Sequence, residues 1–127
     1  MAEEIFLRLF YMFNWGVFGI MQHINESNFE EIIGCNVPVL VEFSAAWCGP
    51  CKALEPILAE VENDYKKELI FGKIDVDKSP NLAQKFNVHG IPAVIIFNNS
   101  VPVGLNSGFM DKNRLVDFIK DSLANKI

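Results

Sequence analysis

Cys48 and Cys51 stand three positions apart in AAWCGPCKAL, the segment that covers residues 45–54. A pair at this spacing can be a structural disulfide, half of a metal site, or a dithiol that is oxidised and reduced as its function. Two observations argue against a structural disulfide. The chain has three cysteines, and an odd number does not make the disulfide framework of a small secreted protein. Closing a four-residue loop would also stabilise the fold by only about 2 kcal/mol.

A zinc site fails on the number and spacing of ligands. Structural zinc needs four Cys or His ligands. Beyond the pair, the chain offers only Cys35, His23 and His89, and none of these stands at zinc-finger spacing. The pair is therefore interpreted as a redox dithiol, and the expected metal content is none.

Composition limits the remaining classes of protein. A length of 127 residues corresponds to one domain, and 50% apolar with 21% charged residues is enough to build a globular core. The formal net charge is −5, and no block of basic residues occurs. Nucleic acid is therefore not an expected partner.

The cysteine pair lies where a predicted buried strand gives way to a predicted helix. The run VLVEFS at 39–44 is almost continuously apolar, as in a strand that is buried on both faces. Residues 48–66 then show a helical repeat of apolar side chains. Those side chains are Leu54, Ile57, Leu58, Val61 and Tyr65.

The other predicted elements give the order β α β α β α β β α. Further strands are expected at 20–24, 69–77, 93–97 and 101–106. A short helix should begin at a capping box in which Ser27 is the N-cap and Glu30 reaches back, and should end near Gly34. Another helix should begin at Ser79-Pro80 and the last at Asp111, running to about residue 125.

The two thiols should differ in chemistry. Cys48 is expected at or just before the helix N-terminus, where free N–H groups and the helix dipole stabilise a thiolate and lower its pKa. Cys51 should lie inside the helix, on the same face of the first turn, with its sulfur directed inward. Cys48 is thus predicted to be the nucleophile and Cys51 the resolving thiol. Pro50 between them has no N–H to leave unpaired and favours the helical turn.

From about Met21 to its C-terminus, the chain resembles the thioredoxin family. The motif WCGPCK at 47–52, with Trp47, Gly49 and Pro50 around the cysteines, matches the family's active-site motif. Further matches are Pro56 in the active-site helix, Lys73, the GIP loop at 90–92 and Gly108 before the last helix. The implied fold is a thioredoxin-like α/β domain over 21–127, with a central mixed sheet and helices on both faces.

The resemblance also implies a mechanism and partners. Glu42 occupies the place of the family's buried acid, and burial should raise the pKa of its carboxyl so that it can take the proton of the resolving thiol. Trp47 should cover the active site. Gly90, Ile91 and Pro92 should form the substrate loop, with Pro92 cis and the Ile91 backbone offered to a substrate strand.

The implied activity is protein-disulfide reduction through Cys48 and Cys51, with no organic cofactor. Disulfide-containing proteins would be the substrates and thioredoxin reductase the electron donor. The expected state is a cytoplasmic monomer that contributes to electron transport and cell redox homeostasis.

Two departures from the family leave alternatives open. Thioredoxins usually have Asp at the position of Glu42, whereas domains of protein disulfide isomerase have Glu, and Ser44 replaces the usual aromatic residue. A disulfide isomerase or oxidase is one alternative, although Gly-Pro between the cysteines favours the reducing members of the family. A non-catalytic thioredoxin-fold binding module is the other. Cys35 can be an incidental or a regulatory thiol, and His89 an exposed loop residue or one that tunes substrate binding.

Residues 1–20 form an apolar extension with no counterpart in a minimal thioredoxin. Glu3 and Glu4 and the lack of a small-residue cleavage site argue against a secretory signal. The apolar run from Leu9 to Met21 is shorter than the about twenty residues that span a membrane. The expectation is a loosely packed tail or an upstream start assignment, with the natural chain starting at Met21. A membrane-surface anchor remains the alternative.

Overall fold

The computed structural model describes residues 21–65 and 67–125, so the extension at 1–20 lies outside the described residues. Within them the chain forms five strands and four helices. The strands are β1 (Gln22–Ile24), β2 (Val39–Ser44), β3 (Ile70–Asp75), β4 (Ala93–Asn98) and β5 (Val101–Ser107). The helices are α1 (Phe29–Ile33), α2 (Gly49–Tyr65), α3 (Pro80–Lys85) and α4 (Lys112–Ala124). The predicted order of elements is confirmed.

The strands form one mixed sheet in the order β1-β3-β2-β4-β5. β3 pairs parallel with both β1 and β2, whereas β4 pairs antiparallel with β2 and β5. All six residues of β2 are buried, which explains its nearly continuous apolar sequence. This central strand carries Glu42 and leads directly to the cysteine pair.

Helices cover both faces of the sheet. On one face, Phe29 of α1, Phe86 after α3 and Phe97 of β4 form a cluster whose ring centroids lie 5.3–5.6 Å apart. The opposite face carries α2 and α4, which contact each other and β3 and β5 respectively. β2 is therefore packed between the aromatic cluster on one face and the two longer helices on the other. This packing fixes the position of its C-terminal end, which leads to the cysteine pair.

The predicted capping box before α1 is wrong. The N-cap residue is Asn28, and Ser27 instead donates its hydroxyl to Asn25 Oδ1 at 2.6 Å. The Asn25 carboxamide oxygen also accepts from the backbone N–H groups of Ser27 and Asn28, so a short Asx turn occupies the Ser27 N–H that Glu30 would bind in a capping box. Glu30 does not reach back: its carboxylate pairs with Lys85 at 3.2 Å.

The other two predicted helix starts are correct in position. Asp111 caps α4 by accepting from the backbone N–H of Arg114 at 2.8 Å. Ser79 is the N-cap of α3 and Pro80 follows in the first turn, but the buried Ser79 side chain makes no capping hydrogen bond. The turn between β4 and β5 has positive φ at Asn99 (52°) and Ser100 (67°).

Candidate active site

Cys48 and Cys51 are joined by a disulfide at the start of α2, with Cα atoms 5.3 Å apart. Cys48 immediately precedes Gly49, the first helical residue, and Cys51 lies in the first turn. Cys51 is fully buried, whereas Cys48 is nearer the surface with 4% of its area exposed. The predicted positions of the two cysteines at the strand-to-helix junction are thus confirmed.

The helix N-terminus directs a hydrogen-bond donor at Cys48. The backbone N–H of Cys51 points to Cys48 Sγ at an N···S distance of 3.2 Å. When the pair is reduced, the same N–H and the positive end of the α2 dipole can stabilise a thiolate on Cys48. Gly49 and Pro50, between the cysteines, are exposed and leave this end of the helix accessible.

The loop that the resemblance predicts to face the disulfide does so. The Ile91–Pro92 peptide bond is cis, as predicted. Cys48 Sγ lies 3.9 Å from the carbonyl oxygen of Ile91. Gly108, at φ +102°, donates its N–H to the Pro92 carbonyl at 2.7 Å and so ties the loop to the end of β5. Gly90 is exposed and Ile91 half-buried beside the cysteines.

Trp47 is anchored by a residue that the sequence did not indicate. Its indole Nε1–H donates to Asp77 Oδ2 at 2.8 Å, and 69% of the side chain's area remains exposed. An exposed tryptophan held in one orientation presents a large apolar face beside the cysteine pair. Asp77 follows β3, thirty positions from Trp47, so only the folded chain brings the two together.

Glu42 is a buried acid without a hydrogen-bond partner among residues 21–65 and 67–125. Its side chain is completely buried in β2, and both carboxyl oxygens are unpaired. Burial, reinforced by the negative charge of Glu55, raises the pKa of Glu42 to about 7, and Lys73 opposes that rise. The predicted direction of the pKa shift is confirmed, and the group can change protonation state near neutral pH.

Lys73 pairs with Glu55 rather than with Glu42. The ammonium Nζ lies 3.0 Å from Glu55 Oε1, and the side chain of Lys73 is 25% exposed. Glu55 follows Cys51 by one helical turn on α2, a spacing that places both on one helix face. The sequence analysis did not predict a role for Glu55, although its spacing of four residues from Cys51 indicates that it lies near the site.

A second buried carboxyl, that of Glu62, lies on α2 about two helical turns after Glu55. Glu62 is 2% exposed, and neither of its carboxyl oxygens has a hydrogen-bond partner within the described ranges. Burial raises the pKa of Glu62 to about 7. It lines a cavity of about 370 Å³ together with Met21, His23, Glu55, Pro56, Ala59 and Lys73.

The remaining candidate residues lie as follows. His89 is exposed in the loop before Gly90, and Cys35 is a buried thiol outside the disulfide, 3.6 Å from the Val37 carbonyl oxygen. In the described part of the chain, no three Cys, His, Asp or Glu side chains group so that they could hold a metal ion. None of the helices in that part is long and apolar enough to cross a membrane.

Comparison with known proteins agrees with this geometry. The family model for thioredoxin matches residues 20–121. The chain belongs to the thioredoxin family. It is 48% identical over 90 residues to a thioredoxin of Buchnera aphidicola subsp. Baizongia pistaciae, covering 71% of this chain and 83% of that one. A thioredoxin of Staphylococcus saprophyticus is 41% identical over 100 residues, covering 79% and 95%.

A third relative carries the domain within a larger protein. The bifunctional thioredoxin reductase/thioredoxin of Mycobacterium leprae is 38% identical over 99 residues, which cover 78% of this chain and 22% of that protein. Family membership and the Cys48–Cys51 pair make this chain a thiol-disulfide oxidoreductase that reduces protein disulfides. Neither an isomerase or oxidase nor a non-catalytic binding module is favoured.

Proposed function

We propose that this chain reduces protein disulfides in the cytoplasm, with Cys48 as the attacking thiol and Cys51 as the resolving thiol. The observation that carries this assignment is the backbone N–H of Cys51, which points at Cys48 Sγ at 3.2 Å. That donor stabilises a thiolate on Cys48 alone, because Cys51 is buried further inside α2.

The reaction proceeds in two exchanges. The Cys48 thiolate attacks one sulfur of the substrate disulfide, a Cys48–substrate bond forms, and the other substrate sulfur leaves as a thiolate. Cys51 then loses its proton and attacks Cys48 Sγ. The Cys48–Cys51 disulfide forms, the mixed disulfide breaks, and the second substrate sulfur leaves. Two electrons pass from the dithiol to the substrate.

Glu42 is the group that takes the proton of Cys51 in the second exchange. Three properties support this role: the carboxyl is fully buried in the strand that leads to the pair, it lacks a hydrogen-bond partner in the described part of the protein, and its pKa is raised to about 7. A base whose pKa lies near the working pH is the most effective for proton transfer.

The surface around Cys48 binds the substrate. Trp47 supplies an exposed aromatic face, and the cis loop of Gly90, Ile91 and Pro92 lies next to the reactive sulfur. A substrate segment in extended conformation can pair with the backbone of Ile91, which positions its disulfide over Cys48.

Reduction of insulin by dithiothreitol, measured as turbidity, tests the activity. The protein should accelerate precipitation of the released insulin chains well above the rate with dithiothreitol alone. The reduction potential should lie near about −270 mV, as in thioredoxin. No acceleration would contradict the reductase activity, and a potential above roughly −200 mV would favour an oxidase or isomerase.

Thioredoxin reductase is the proposed electron donor, because a relative joins the two activities in one chain.

We also propose that the protein is a monomer that does not bind membranes and that it comprises a thioredoxin domain at 21–127 after an extension at 1–20. In analytical ultracentrifugation, the full chain should sediment with the mass of a monomer. When liposomes that contain anionic lipids are pelleted, the protein should remain in the supernatant. A dimer mass or co-sedimentation would contradict these statements.

A further inference from the structure

One lysine on the sheet lies between two acids, and only one of them binds it. Glu42 of β2 and Lys73 of β3 are register partners in a parallel ladder, so their side chains project from the same face of the sheet. α2 packs over this face and brings Glu55 to Lys73. The ammonium donates to Glu55 Oε1 at 3.0 Å, while both oxygens of Glu42 are unpaired as far as the described residues extend.

We propose that Glu55 is a positioning residue for disulfide reduction, which binds the Lys73 ammonium and thereby keeps it from forming an ion pair with Glu42. This inference rests on the proposed role of Glu42 as the proton acceptor for Cys51. Glu55 does not touch the reacting sulfurs: it acts on Glu42 through Lys73.

The physical reason is competition for one cation. An ammonium bound to Glu42 would stabilise the carboxylate, which would lower its pKa and weaken it as a base. With Lys73 engaged by Glu55, burial dominates and the pKa of Glu42 is raised to about 7, with Glu55 contributing to the rise and Lys73 opposing it. Glu42 can then take a proton at neutral pH and return it to solvent after the cycle.

In the part of the chain that the structure describes, the charged groups that act on Glu42 are Glu55 and Lys73. Across the ladder with β4 its register partner is Val94, which is apolar. α2 contributes Glu55, one helical turn after Cys51, and β3 contributes Lys73. His23 of β1 is the register partner of Lys73 on the side away from β2, and His23 and Glu62 line the cavity of about 370 Å³ that Glu55 and Lys73 also line. Lys73 and Glu55 line this cavity, whereas Glu42 does not.

The test follows the resolving step as a function of pH. The reduced protein reacts with an aromatic disulfide whose thiol product absorbs visible light. Attack by Cys48 releases the first thiol, and ring closure by Cys51 releases the second. The rate of the second phase, measured from about pH 5 to 9, should show a titration step near the pKa of Glu42. In Glu42→Gln this step should disappear.

In Glu55→Gln the step should move to lower pH by roughly one unit, the low end of the shift that a cation within about 4–6 Å produces. In Glu55→Asp, which keeps the carboxylate, the titration step should lie closer to its wild-type pH than in Glu55→Gln. In a Lys73→Met background, the effect of Glu55→Gln should be smaller than in the wild type, because only the direct repulsion between the two carboxylates remains. Carbon NMR titration of the Glu42 carboxyl should move in parallel.

Glu60→Gln is the matched control. Glu60 lies on the same helix and also binds a lysine, Lys112 at 2.7 Å, but on the protein surface. This variant should leave the pH profile unchanged. If Glu42→Gln keeps the titration step, the proposed role of Glu42 is wrong. If Glu42→Gln removes the step but Glu55→Gln does not move it, or moves it equally with and without Lys73, the role of Glu55 is overturned.

Discussion

Cys48→Ser abolishes insulin reduction, with a loss of roughly a thousandfold or more, because a serine hydroxyl stays protonated near neutral pH and does not attack a disulfide. Cys51→Ser is also inactive in turnover but fails one step later. Its Cys48 thiolate still attacks, and the mixed disulfide accumulates because no second thiol can resolve it. Mass spectrometry after reaction with oxidised insulin should find the covalent adduct for Cys51→Ser and none for Cys48→Ser.

The matched control for both variants is Cys35→Ser. Cys35 is a buried thiol outside the pair, 3.6 Å from the Val37 carbonyl. This variant should keep the wild-type rate and form no lasting adduct. Alkylation of the reduced wild-type protein near pH 7 should also modify Cys48 well before Cys51, because a stabilised thiolate reacts faster than a buried thiol. Equal labelling of the two cysteines, or an adduct on Cys51 in Cys48→Ser, contradicts the assignment.

Glu62→Met raises the free energy of unfolding of the oxidised protein above neutral pH. Below about pH 4.5, the ordinary pKa of the carboxyl, the difference between variant and wild type should not change with pH. In the folded chain burial raises the pKa of Glu62 from 4.5 to about 7, so over this interval the folded state keeps a proton that the unfolded state has lost. Rising pH therefore favours unfolding. The contribution of protonated Glu62 to the free energy of unfolding is present in full below pH 4.5 and is lost as the pH rises through about 7.

Methionine has a similar length and cannot ionise. The difference in free energy of unfolding between variant and wild type should therefore grow from pH 4.5 to about 7 and then level off. The growth should be about 3 kcal/mol, at about 1.4 kcal/mol for each unit of pKa shift. Any packing change adds a constant offset and leaves this slope intact. Glu42 has the same ionisation in both proteins and cancels in the difference.

Urea denaturation at a series of pH values measures this difference. Glu60→Met is the control: Glu60 is exposed on the same helix and pairs with Lys112 on the surface, so the difference in free energy of unfolding from wild type should vary much less over the same range than for Glu62→Met. A flat profile for Glu62→Met would show that the folded protein holds Glu62 ionised and solvated. A reversed slope would mean that an unrecognised cation stabilises the carboxylate.

The sequence by itself determined the elements and the reactive pair. Strand β2 was predicted to the residue because a strand buried on both faces is apolar at nearly every position, VLVEFS, and this local pattern depends on nothing distant. The start of α2 followed in the same way, since the motif and its proline favour a helix N-terminus at that point. Glu42 was identified by its match to the buried acid of the family, and its place in a strand buried on both faces predicted the raised pKa of its carboxyl.

Only the tertiary structure decided which groups these residues meet. The capping box failed because Asn25, a residue outside the motif, binds both the backbone N–H and the hydroxyl of Ser27 in a competing turn. Trp47 meets Asp77 across thirty residues of chain. Lys73 was expected near the site, but its partner is Glu55, because the register of β3 beside β2 and the packing of α2 over both set which carboxylate reaches the ammonium. Local propensity contains no information about such register and packing, since they arise from burial of the whole sheet against its helices.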